Sequence, residues 1–88
     1  MLGWLLLGAL LAVAVISITV SYLNTDTAKR ELRNHDIQKG VVKEIVKSGS
    51  VTHIKLDAIK EDGGEVEVDI ETEDYNSSQI RKGVVIYA

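Results

Sequence analysis

The first 24 residues, MLGWLLLGALLAVAVISITVSYLN, carry no charged side chain, and residues 2–23 are almost continuously apolar. As an α-helix, at about 1.5 Å per residue, this run is roughly 33 Å long, which matches the roughly 30 Å hydrocarbon thickness of a bilayer. A core helix of that length should be amphipathic or wrapped by a large domain, and only 64 residues follow it. The run therefore predicts a single N-terminal transmembrane α-helix over residues 1–23, followed by a small all-β domain.

Trp4 and Tyr22 stand near the two ends of the run, where aromatic rings anchor a span among lipid headgroups. Gly8 and Ala12 are four apart, as are Ser17 and Ser21, and small residues at that spacing let a second membrane helix approach closely. No ionisable residue interrupts the run, so it lacks the usual marker of an ion or proton pathway. A cleaved signal peptide is the competing reading. Against it, no Lys or Arg precedes the run, and the nearest A-x-A, Ala12-Val13-Ala14, falls inside it. There is no cysteine, hence no lipid-modified or disulfide-bonded framework. Lys29, Arg30 and Arg33 follow the run, so the positive-inside rule predicts an outside N-terminus and a cytoplasmic C-terminal domain.

Composition changes at Asn24. Asn24-Thr25-Asp26-Thr27 is a polar capping sequence, and Ala28 onward, AKRELR, is helix-forming; residues 24–35 read as a polar, basic juxtamembrane segment that extends the span or forms a short helical turn.

Residues 36–88 read as about four short antiparallel strands, open or closed into a small barrel. In 51–60, Ile54, Leu56 and Ala58 alternate with His53, Lys55 and Asp57. In 65–72, Val66, Val68 and Ile70 alternate with acids. Apolar faces must meet, which requires an odd loop; pairing Lys60 with Gly64 leaves Glu61-Asp62-Gly63, with glycine at the left-handed position. That register sets Leu56 opposite Val68, Lys55 opposite Asp69, and Asp57 unfavourably opposite Glu67, a conflict that a bulge would relieve by shifting the register. Residues 40–48, GVVKEIVKS, fit both a helical stripe and a β-branched strand. The strand is preferred because Lys47-Ser48-Gly49-Ser50 then forms a hairpin into Val51. Residues 83–87 predict a terminal strand. The hexapeptide IQKGVV at residues 37–42 recurs as IRKGVV at 80–85, either from similar local need or because the first and last strands are adjacent.

Net charge is −3, unevenly spread: residues 61–80 hold eight acids and no base. Glu65, Glu67, Asp69, Glu71 and Glu73 project from one face of a strand at about 6.6–6.8 Å spacing. Lys55 and Lys43 on neighbouring strands are the ordinary neutralisers; a basic partner surface or weak divalent cations are the alternatives. The row is the candidate protein interface. It lacks the EF-hand spacing, and an acidic surface without a basic, aromatic-lined groove excludes nucleic acid. His35 and His53 have no cysteine beside them, Ser48, Ser50, Ser77 and Ser78 lie outside any nucleophile elbow, and Gly63-Gly64 is not a phosphate loop. These features predict no enzyme, no cofactor, no metal and no small-molecule substrate.

The layout resembles small accessory subunits of membrane complexes and small viral or phage membrane proteins, in architecture alone. The expectation is a non-enzymatic structural or accessory subunit of a membrane-associated complex, with the lipid bilayer and a protein or homo-oligomeric partner. The alternatives are an inhibitor or immunity-type regulatory module that grips a basic target through the acidic strand, or a fibre subunit.

Overall fold

The computed structural model describes residues 14–88. Five strands and one helix follow in the order β1 (Ala14–Leu23), α1 (Thr25–Asn34), β2 (Ile37–Ser48), β3 (Val51–Lys60), β4 (Glu65–Tyr75) and β5 (Val85–Tyr87). The strands form one sheet in the order β1-β4-β3-β2-β5, parallel between β1 and β4 and antiparallel elsewhere.

The expected transmembrane helix is overturned. Its second half is β1, and no helix among the described residues is long and apolar enough to cross a membrane. Residues 15–20 are Val, Ile, Ser, Ile, Thr and Val, mostly β-branched, and they alternate in the strand period. Ile16, Ile18 and Val20 line the core side, opposite Val68, Ile70 and Thr72 of β4, while Ser17, Thr19 and Ser21 face out. Trp4, Gly8 and Ala12 lie outside the described residues. Tyr22 is an exposed residue of β1, and the orientation drawn from the span loses the element it would orient. Residues 36–88 supply four strands, β2 to β5, paired antiparallel; the difference is β1, which joins them as a fifth strand through a parallel pair at one edge.

Asn24 ends β1 and caps α1, its side-chain oxygen accepting from the Thr27 amide at 2.8 Å. The amphipathic helix buries Ala28 and Leu32 over β1, β2 and β5. It is a separate ten-residue element and not a continuation of an apolar helix. Asp36 takes a left-handed conformation (φ 58°) to turn the chain into β2.

The β3–β4 hairpin has the register expected from parity, with Leu56 opposite Val68 and no slip over its whole length. Its loop is Glu61-Asp62-Gly63 with Gly63 at φ 91°, and the Lys60 amide donates to the Gly64 carbonyl at 2.8 Å. The β2–β3 hairpin closes through Gly49 and Ser50 with positive φ only at Gly49, the II′ pattern. Between Val42 and Glu44 β2 bulges, and Lys43 is the inserted residue. The bulge brings Val42 and Ile45, three positions apart, onto the same side of the sheet, which is why this strand reads partly as a helical stripe.

The two hexapeptide copies do lead into neighbouring strands, Gly40 pairing with Ile86 and Val41 with Val85. Their backbones differ: Gly40 is a regular strand residue, whereas Gly83 turns at φ 94°. Leu23, Leu32, Ile37, Ile54, Leu56, Val68, Ile70 and Ile80, all fully buried, centre the single core.

Candidate interaction face

Pleating sends the even-numbered residues from Thr52 to Ala58 of β3 and from Val66 to Thr72 of β4 into the core, so the odd-numbered ones from His53 to Asp57 and from Glu65 to Glu73 share the outer face. Glu65, Glu67, Asp69, Glu71 and Glu73 therefore form the row read from the sequence, with the central three half-buried and the outer two exposed. The structure brings these five together. On one side stand His53, Lys55 and Asp57 of β3; on the other stand Val15, Ser17 and Thr19 of β1, which are uncharged.

The row is neutralised unequally. The Lys43 ammonium reaches across β3 to Glu67 at 2.7 Å and to Asp57 at 3.3 Å, so it joins the two carboxylates that the register forces together. The hydrogen bond to Glu67, reinforced by Asp57, raises the Lys43 pKa above 10.5 against the opposing effect of partial burial. His53 Nδ1–H donates to Asp69 at 3.1 Å. Lys55 stands beside Asp69 in register and opposite Glu44 on β2, but makes no ion pair within 4.0 Å. Among the described residues Glu65, Glu71 and Glu73 have no cationic partner within that distance.

Two hollows open on this face. One, of about 220 Å³, is lined by Thr19, Ser21, Val51, Glu71 and Glu73 among others. The other, of about 530 Å³, lies between Lys43, Asp57, Ile59, Glu65 and Glu67. Both are shallow and open at the surface, unlike the enclosed apolar clefts that hold small ligands. His35 is remote from this face, its Nδ1–H donating to the Glu31 carbonyl at 2.9 Å. Among the described residues no group of three His, Cys, Asp or Glu side chains is arranged to hold a metal ion.

Sequence reasoning included Lys43 among the possible neutralisers but not its priority over Lys55, which the bulge decides. His53 lies on the outer, polar side of the β3 alternation, and its ring leans onto Asp69 and is half-buried. The parity of His53 with the acid row was the available signal, since residues two apart across an antiparallel pair lie within reach on one face. Comparison with family models, with curated proteins and with solved structures finds no match to this chain.

Proposed function

We propose that the chain is a non-enzymatic docking module, an accessory subunit that binds a basic surface of a protein partner through the outer face of its sheet. The observation that carries this reading is the division of the acid row. Glu67 and Asp69 are satisfied within the fold, while Glu65, Glu71 and Glu73 stand on the same face without cations. Like charges along one strand repel, and a basic partner relieves that repulsion while fixing its own register on the face.

The test is co-purification of partners with the affinity-tagged full chain from its native cell extract. The wild type is compared with Glu65→Lys/Glu71→Lys/Glu73→Lys, which leaves the Lys43 and His53 contacts intact. Glu44→Lys on β2 serves as the control. A stoichiometric basic protein should be retained by the wild type and the control, lost by the triple variant, and released as salt rises above 0.5 M, where screening shortens to a few ångströms (about 3 Å at 1 M). Equal retention by all three chains, or no stoichiometric partner, refutes the reading.

A further inference from the structure

The two edges of the sheet are built differently. At the far edge β5 is three residues long, and the part of β2 beyond it carries Lys43, Glu44 and Lys47 with two register shifts along the strand. Short strands, charges and bulges are how edges are kept from pairing. β1 has none of them. Its ten residues, AVISITVSYL, hold no charge, glycine or proline, and keep a constant register against β4. Among the described residues no strand pairs with its outer side.

The groups offered there follow from the neighbouring ladder. The Lys60 amide donates to the Gly64 carbonyl at 2.8 Å, and the constant register of that hairpin therefore turns the backbone groups of the even-numbered β4 residues to β3 and those of the odd-numbered ones to β1. Parallel pairing at an even offset turns Ile16, Ile18 and Val20 to β4 and leaves Val15, Ser17, Thr19 and Ser21 addressing the open edge; past Ser21 the alternation shifts, and the Leu23 carbonyl accepts from the Asn76 amide at 2.8 Å.

We propose that β1 pairs antiparallel with β1 of a second copy about a two-fold axis at Ile18, which joins two sheets into one continuous sheet. This register sets Ile18 opposite its own copy, Ser17 opposite Thr19 and Val15 opposite Ser21, so every outward-turned residue from Val15 to Ser21 gains a hydrogen-bonded partner. A slip of one residue would set apolar positions against polar ones. Centring on Thr19 keeps parity but would pair Val15 with Leu23, whose carbonyl is already taken by the Asn76 amide at 2.8 Å. Charge also selects a second copy at this edge over any other part of the sheet. Two intervening β1 strands hold the acid rows of the copies three strand spacings apart, roughly 14 Å, beyond the roughly 8 Å screening length at physiological salt. On the outer face Ser17 meets Thr19 of the second copy, a neutral hydroxyl pair.

Sedimentation equilibrium of the full chain in mild detergent, over a range of concentrations, tests this independently of the docking reading. The wild type should show a dimer mass. Ser17→Lys with Thr19→Lys places like charges opposite each other across the axis, while inside each copy the new lysines lie beside Asp69 and Glu71, which supports the monomer fold. The dimer dissociation constant should rise by roughly tenfold or more. Ser17→Lys with Thr19→Glu should restore the dimer through opposite-charge pairs. The natural chain has no cysteine, so a mixture of Ser17→Cys and Thr19→Cys chains should form a disulfide between unlike chains faster than either chain alone; this decides the register even if the double lysine variant unfolds. A monomer at all concentrations overturns the proposal and leaves the edge to a foreign strand or to residues 1–13. A dimer indifferent to both charge variants, or with no preference for unlike cross-links, also overturns it.

Discussion

Lys43 lies 2.7 Å from Glu67 and 3.3 Å from Asp57, and without it two carboxylates face each other across β3 and β4. Lys43→Met should therefore lower stability by about 0.5–1 kcal/mol, the scale of a partly exposed ion pair, with the difference from wild type shrinking at high salt in urea unfolding. Because the folded-state pKa of Lys43 is raised, this contribution is fully present below 10.5 and is lost only as the pH rises through the higher, folded value. The difference between the two proteins should thus be level across neutral pH. Gly40 is constrained in another way: a Cβ there would meet Leu56 Cδ2 at 3.0 Å and Ala58 Cβ at 3.5 Å. Gly40→Ala should destabilise by about 1–3 kcal/mol, the usual cost of overpacking, as a shift of the urea midpoint without a change in slope. Lys43 was legible as a neutraliser of the acid row but not its priority over Lys55, and the crowding at Gly40 was not legible at all. The sequence shows a lysine and a Lys-Gly pair, but the bulge at Lys43 and the closeness of Leu56 to β2 arise only once strands are paired.

At the level of elements, what was legible tracked how local the cause was. The β3–β4 register followed from parity and one glycine, because faces alternate strictly and Gly63 supplies the positive φ the loop needs. β2 was ambiguous for the physical reason that a bulge converts a two-residue period into a three-residue interval at Val42 and Ile45. β1 was misread because hydropathy averaged over the N-terminal run gave Leu- and Ala-rich residues 5–14 the same weight as β-branched residues 15–20, although the ISITVS alternation was present. The distinction has a direct test. If residues 1–23 were an anchor, removing them would leave the β-domain intact. In the observed fold the deletion strips β1 from β4 and exposes Val66, Val68 and Ile70 on a bare edge. Residues 24–88 should therefore aggregate or lose cooperative unfolding, read by circular dichroism and light scattering.

Over the whole molecule the charges and the strand order act together. Acids are concentrated in residues 61–80, and the sheet places β4 next to the long uncharged strand β1, so a strongly acidic face and a neutral edge lie side by side. The two surfaces are separable: Glu65→Lys/Glu71→Lys/Glu73→Lys should lose the basic partner yet sediment with the wild-type mass. In the dimer both acidic faces lie on the same side of the joined sheet, so a multivalent partner should bind with greater avidity than a monovalent one. The sequence carried the acid row but not its neighbour, since adjacency between the first strand and the fourth is a property of topology. That adjacency also has a cost in time. Ala14 must wait for Val66, and a chain made at roughly 5–20 residues per second emerges with its most β-prone, uncharged stretch unpaired for roughly 3–10 s. Of the described strands β1 is the first to be made, and its protection in that interval falls to chaperones, to the ribosome surface or to another nascent copy.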